Sequence, residues 1–275
     1  MNIRLLTEGD FEKLFYTFKM AFTENEVRFQ PTFKEFSYRI HKKLLFDRAI
    51  SSASFDGNEM TGFILHSSNI YQGIPTAYNG GTGVLPGFRN QKTAEQMYEF
   101  LIPKIQAKFL ARILLEVIET NQKAIALYEK LGFVFKRRFR CYKMTRSITS
   151  FSEIDVVQGS ISDVNFDFND FEPSFIDSSN HIQKGDEKIY VAKKENSVVG
   201  YVIFQPHLGR ISQLAVDRIH RHKGVGDALL ATAKASSEKP LTIMNIPDDE
   251  IAFDSFLKKY GFQNQVNQYE MELII

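Results

Sequence analysis

The 275-residue sequence has one cysteine, Cys141, and no tryptophan. A lone cysteine excludes an intramolecular disulfide and any cysteine-rich zinc site. It fits a reducing compartment, so a cytoplasmic location is expected. No stretch approaches the ~18 apolar residues that a membrane-crossing helix needs. The opening MNIRLLTEGDFEKL lacks the long apolar core and small-residue cleavage pattern of a secretory signal. The six histidines show no HExxH or comparable ligand spacing, so no metal is expected. Charge of one sign is also missing. Lys and Arg number 34 against 33 Asp and Glu, a net +1 that suggests neither nucleic acid nor a membrane as partner. What is present is ordinary for a water-soluble chain: 43% hydrophobic residues and enough length to bury a core without staples. Phenylalanine is abundant, 25 residues, and nothing in the sequence ties it to function.

Periodicity gives alternating elements. NIRLL reads as a strand. Thr7 then reads as a helix N-cap with Asp10 three residues on, ahead of FEKLFYTFKMAF. TFKEFSYRIHKKLL follows Pro31 as a second helix. RAISSASFDGNEMTGFILHS predicts a hairpin turning at DGNE. TAYNGGTGVL is a strand weakened by glycine. NQKTAEQMYEFLIPKIQAKF is helical, with Pro103 expected to bend or interrupt it. ARILLEVIE reads as a buried strand. NQKAIALYEKLG is a helix ended by Gly132, and FVFKRRFRCYKM a closing strand.

The second half repeats this order: a hairpin turning at KENS, the strand GRISQLAVD, the helix KGVGDALLATAKASS, the strand PLTIMNI, a helix ended by Gly261, and VNQYEMELI. Asn169 to Gly185 reads as loop with short helices at most. GVLPGFRNQKTA aligns with AVDRIHRHKGVG, setting Arg89 on Arg221, and YEKLGF aligns with LKKYGF. Two tandem copies are predicted, residues 1–146 and 147–275, divided in the polar stretch 145–153.

RIHRHKGVG places basic side chains and two glycines where a helix begins. The first N–H groups of a helix lack intrahelical partners and carry the positive dipole end, so they suit a diphosphate. The spacing is neither GxGxxG nor a Walker loop. Preceded by ISQLAV, it resembles the acyl-CoA motif of the GNAT superfamily of N-acetyltransferases. That resemblance implies a fold of α/β (α+β) class: two GNAT-like domains, each a mixed, mostly antiparallel sheet flanked by helices. It implies acetyl-CoA as co-substrate, held in the second copy by Leu214, Ala215, Val216, Arg221, His222, Lys223, Gly224, Val225 and Gly226, with Asn245 as a further contact. Here Gly224 and Gly226 are read as letting phosphate approach the backbone, and Arg221 and His222 as donors to phosphate or ribose. In the first copy the matching residues are Arg89, Asn90, Gln91, Lys92, Thr93 and Ala94, with Lys92 where the first glycine belongs.

LLEVIETNQKAIALYEKLGF is similar to the run in ribosomal-protein N-terminal acetyltransferases, whose Glu and Tyr carry the chemistry. The likeness implies Glu116 as base, Tyr128 as acid, Asn121 on the pantetheine arm, and main-chain N–H near Gly83 and Val84 on the oxyanion. The second copy departs from it: Leu257 stands at the Tyr128 position and PLTIMNI holds no carboxylate, leaving Tyr260 and Tyr269 as conceivable substitutes. The expected reaction is acetyl transfer from acetyl-CoA to a primary amine by direct attack. Two other readings stay open: an acyl-CoA-binding regulator built from decayed enzyme domains, and a scaffold with no cofactor. The acceptor, a small molecule or a peptide, is not legible. Asp10, Glu24, Asn25 and Glu26 would suit a polycation. Either a monomer with pseudo-dimeric tandem domains or a homodimer is compatible with the duplication.

Overall fold

The computed structural model describes residues 1–23, 30–146, 154–195 and 197–275. Glu24, Asn25 and Glu26, most of the expected 145–153 divide, and one residue of the KENS turn lie outside the described residues. The chain forms two compact units: Met1–Arg137 with Tyr269–Ile275, and Arg138–Gln268. They are thus not the continuous halves 1–146 and 147–275.

In the first unit, β1 (Asn2–Leu5) leads to α1 (Phe11–Ala21) and α2 (Phe33–Tyr38). The hairpin β2 (Ser52–Asp56) and β3 (Glu59–Tyr71) follows, then β4 (Ile74–Val84), α3 (Thr93–Ala107), β5 (Arg112–Ile118) and α4 (Gln122–Lys130). The sheet runs β1-β2-β3-β4-β5 and is completed by residues from Tyr269 on. Neighbours from β1 to β4 are antiparallel, while β4 and β5 are parallel. Ile113, Leu115 and Val117 of β5 bury one face against Tyr98, Leu101 and Ile105 of α3 and Ile125 and Tyr128 of α4. Pro103 does not interrupt α3. It sits on the exposed side, where water can satisfy the carbonyl it leaves unbonded, while Leu101 and Ile105 stay buried. Many of the phenylalanines have a packing role: the rings of Phe11, Phe15 and Phe18 of α1 pack at tilted angles against Phe36 of α2, and Phe18 lies 6.0 Å from Phe63.

After α4 comes β6 (Val134–Met144), which begins in the first unit and ends in the second. The second unit continues with β7 (Asp155–Gly159), the short α5 (Ser179–Ile182), β8 (Lys188–Lys194), β9 (Ser197–Gln205), β10 (Arg210–Val216), α6 (Val225–Ala235), β11 (Thr242–Pro247) and α7 (Ile251–Lys259). Its sheet runs β7-β8-β9-β10-β11-β6, with only β10 and β11 parallel. β12 (Phe262–Ile274) begins here and finishes in the first unit. Each unit is therefore a mixed, mostly antiparallel sheet flanked by helices, and each takes its sixth strand from the other half of the chain. Among the described residues, no helix is long and apolar enough to cross a membrane, and no cluster of three or more metal-ligating side chains occurs.

Candidate active site

The parallel strands of each unit pair briefly and then part. In the first unit the last register pair is Asn79 with Leu115. β4 then carries an extra residue, Gly80, against β3 and runs on to Val84, unpaired with β5. In the second unit the last pair is Ile211 with Ile243, and Ser212 is the extra residue. Bulges bend and twist a strand, which accounts for the parting. A splayed edge leaves main-chain groups unspent. Leu85 N–H donates to Thr61 on β3, so alternation turns Gly83 N–H the same way and leaves Val84 and Thr82 N–H facing the splay. By the same reasoning Asp217, bonded to Val199, sets Ala215 toward β9 and Val216 and Leu214 toward the splay.

The loops ahead of α3 and α6 share one backbone shape. Asn90 and His222 have φ of 62° and 57°, and Lys92 and Gly224 have 60° and 83°. Lys92 thus adopts the left-handed conformation its glycine counterpart takes freely, with its side chain exposed. The arginines brace these loops from within. Arg89 Nε donates to Val84 O at 3.2 Å and its Nη2 to Ala21 O at 2.9 Å. Arg221 Nε donates to Val216 O at 3.0 Å, and its guanidinium pairs with Asp170 at 2.9 Å. Lys223 Nζ donates to Ile219 O at 2.9 Å. Gly226 has a packing reason as well: a Cβ there would stand 3.1 Å from the Phe256 ring. Gly83 is similar, its missing Cβ leaving room for the Phe63 ring. Of the first loop's other residues, Gln91 Nε2 donates to Gly87 O, Thr93 Oγ1 donates to Phe88 O, and Ala94 is buried under the helix.

The acid and base candidates approach the first splay from opposite faces. Leu115 and Val117 face α3 and α4, so alternation puts Glu116 on the other face. There its carboxylate accepts a hydrogen bond from the Tyr78 hydroxyl. Tyr128 of α4 is buried, and burial pushes its phenol pKa up, opposed by a hydrogen bond with Thr82. Asn121 Oδ1 caps α4 by accepting from Ala124 N–H at 3.2 Å. Asp10 is not an entrance carboxylate: it is 4% exposed and accepts from Arg4 and Thr7, which hold its pKa far below the usual range despite burial.

In the second unit the residue following Ile243 is Met244, in the Glu116 register, and Leu257 fills the Tyr128 position with no exposure. Tyr269 counts with the first unit, donating to Glu119 at 2.9 Å, and Tyr260 is packed on Phe256. The β10/β11 splay is a narrow, nearly filled cleft lined by Phe171, Ser174, Gln213, Met244, Asn245 and Phe253 among others. The 169–177 segment is bonded into it. Arg210 pairs with Asp177 at 2.6 Å, Gln213 Nε2 donates to Asp177 O at 2.6 Å, and Asn245 Nδ2 donates to Ser174 Oγ at 3.2 Å. Asn245 itself has a φ of 60° within a strand.

Two family models match this paired architecture. Residues 15–133 match the acetyltransferase (GNAT) family and residues 185–264 an acetyltransferase (GNAT) domain. The chain belongs to the GNAT acetyltransferase family. It is 33% identical over 92 residues to N-alpha-acetyltransferase 30 of Dictyostelium discoideum, an alignment covering 33% of this chain and 50% of that protein. The chain thus spans about half the length of the curated relative it matches. Two solved structures share the fold. A GCN5-related N-acetyltransferase from Sphaerobacter thermophilus aligns with a TM-score of 0.75 at 12% identity, over 99% of this chain and 95% of its own. A tandem GNAT protein from the clavulanic acid biosynthesis pathway aligns at 0.72 and 11% identity, over 99% and 98%.

Four polar residues of the first GNAT splay escape sequence reading: Tyr78, Asn79, Thr82 and Tyr98. Asn79 and Thr82 meet only because Gly80 bulges the strand between them. His66 lies beside them, fully buried, its ring 6.2 Å from Tyr98 and its Nδ1–H donating to Ile50 O at 2.8 Å. Burial holds its pKa down to about 4 from 6.5. Between these values the unfolded chain binds a proton that the native unit refuses. Stability therefore falls as pH drops through that window, by up to about 3 kcal/mol. Urea titrations at pH 7 and pH 4.5 check this. The loss should shrink in His66→Gln, and an unchanged loss would show that other groups cause it.

Proposed function

We propose that this chain transfers an acetyl group from acetyl-CoA to a primary amine at the β4/β5 splay, with Glu116 as base and Tyr128 as acid. The observation that carries this reading is the approach of a carboxylate and a phenol, from opposite faces, to the place where two parallel strands stop pairing. The residues fit the co-substrate. The loop Asn90–Lys92 has the same left-handed backbone as the glycine-bearing loop of the second unit, and it opens a helix of 15 residues whose first N–H groups suit a diphosphate. Lys92 adds an exposed ammonium beside it. Bound there, the thioester supplies an activated acyl group.

The chain's own groups divide the remaining work. Glu116 takes a proton from the substrate ammonium, and the neutral amine nitrogen then forms its bond to the thioester carbon. Val84 N–H, unspent on the sheet, donates to the carbonyl oxygen as it gains charge. The carbon–sulfur bond breaks, Tyr128, kept protonated by burial, gives its proton to the departing sulfur, and the proton that the newly bonded nitrogen sheds restores the phenol. The name of the Dictyostelium relative supports an α-amine, such as a peptide N-terminus, as acceptor. For the second unit a non-catalytic role is favoured by specific residues: Met244 and Leu257 offer no proton chemistry, and the 169–177 segment is bonded into the splay.

A free-thiol release assay over a panel of amines and peptides, with CoA calorimetry alongside, tests the reading. Turnover in the wild type, lost in Tyr128→Phe, supports an enzyme. CoA binding without turnover on any amine supports a sensor instead.

A further inference from the structure

The β10/β11 splay has two faces, and the segment 169–177 is anchored on one of them. Gln213 and Ala215 of β10 share a face with Tyr201 and Ile203 of β9. Ile211, Leu214 and Val216 face the other way, into the core under α6 and α7. On the first face, Tyr201 O–H donates to Gln213 Oε1 at 2.8 Å, and Asn169 Nδ2 donates to the same oxygen at 3.1 Å. Arg210 and Gln213 hold Asp177 there as well. Phe166 and Phe168 lie on this side too, with rings 6.1 and 6.5 Å from Tyr201.

Phe171 breaks from this pattern. Its ring lies 5.8 Å from that of Phe253 on α7, edge to face, and packs against the α6/α7 core. The chain before and after it is bonded on the opposite face, through Asn169 and Asp177. The ring therefore enters the gap where β10 and β11 no longer pair, beside Leu214, Ile243 and Ile246, and leaves it nearly filled. Two more contacts shut the same passage. Asn245 Nδ2 donates to Ser174 Oγ, tying the segment to β11 as Gln213 ties it to β10. Asp170 pairs with Arg221 at 2.9 Å and with Arg218 at 3.4 Å, so a carboxylate already sits on the positive charge of the loop that opens α6.

We infer that the second unit is closed to the thioester by its own chain: Phe171 fills the slot between β10 and β11, and Asp170 takes up the charge of the α6 loop. This rests on the reading of a splay as the place where the thioester binds. The pantetheine arm must lie between the parted strands to meet the Leu214 and Val216 N–H groups that face the gap. A packed aromatic ring leaves it no room. The diphosphate would meet a carboxylate where it needs a cation, and like charges at that range repel. The loop keeps its glycines for the fold instead. Gly224 has a φ of 83°, and a Cβ on Gly226 would crowd the Phe256 ring. The chain accordingly carries one thioester, in its first unit.

Calorimetric titration with CoA tests this, with hydrogen exchange to locate the protected amides. The wild type is expected to bind one CoA per chain and to gain protection in residues 82–96, with none gained in 214–228. In the double variant Asp170→Asn, Phe171→Ala the ring and the charge are gone, while Gln213, Asn245 and Arg210 still anchor the segment. It should bind one CoA more than the wild type, with new protection in 214–228. Protection of 214–228 in the wild type overturns the inference. So does an unchanged stoichiometry in a double variant whose Tm matches the wild type. Should the double variant unfold, the wild-type exchange map decides alone. A wild type that binds no CoA refutes the first splay as the thioester site instead. The double variant then still gains its single site or, by failing to, overturns the closure.

Discussion

Tyr128→Phe is expected to lower kcat on the order of 10²- to 10⁴-fold, the usual worth of a positioned general acid. The substitution is close to a single-atom change. Phenylalanine keeps the ring contacts with Tyr98 and Phe133 and stays in the same core. Only the proton donor is lost, so thioester affinity by calorimetry should match the wild type. Glu116→Gln is expected to cost as much by the opposite route. The glutamine oxygen can still accept from Tyr78, but it cannot take a proton. Deprotonation then falls to solvent, and the residual rate of Glu116→Gln should climb with pH until the amine titrates. Stopped-time assays between pH 6 and 9 read this directly. Wild-type kcat in either variant would remove that residue from the chemistry.

The largest effect on stability is expected at residues far from the splay in sequence. Arg112 opens β5 and is 3% exposed. It donates to Glu272 at 2.8 Å, to Tyr71 O at 2.7 Å and to Thr76 at 2.9 Å. Arg137 makes a second pair, with Glu270 at 2.7 Å. Both carboxylates come from β12, and Met271 between them packs in the first core. Glu272→Ala would leave the Arg112 guanidinium buried without its counter-charge, at a cost of about 3–5 kcal/mol. Chemical denaturation of the first unit should show this as a lower midpoint. Removing Tyr269–Ile275 takes away both carboxylates and the part of β12 that belongs to the first unit. The fragment 1–146 is expected to give no cooperative unfolding transition at all. A cooperative transition in that fragment would show that β12 is dispensable to the unit.

The order of elements was legible because apolar spacing and glycine stops are local signals. Gly132 and Gly261, with φ of 92° and 78°, end α4 and α7 where the sequence places them. The proposed pairing of Glu116 with Tyr128 comes only through resemblance, since the eleven intervening residues say nothing about two sheet faces. The bracing role of the loop arginines was not legible. Positive charge beside glycines suggests an anion, yet Arg89 and Arg221 spend their Nε on main-chain carbonyls within their own loops. The exchange of strands left no trace at all. β6 and β12 are similar runs of alternating residues, and nothing local tells either of them which sheet edge to join. Arg112, read as the start of an ordinary buried strand, gains its meaning only from Glu272.

The borrowed sixth strand also sets a timetable for synthesis. About 150 residues separate the end of β5 from Tyr269, which a ribosome takes roughly 8–30 s to add. Throughout that interval the nascent first unit carries Arg112 without its counter-ion and a bare strand edge open to any neighbour. Whatever shields that edge while translation proceeds decides how much of the polypeptide escapes aggregation.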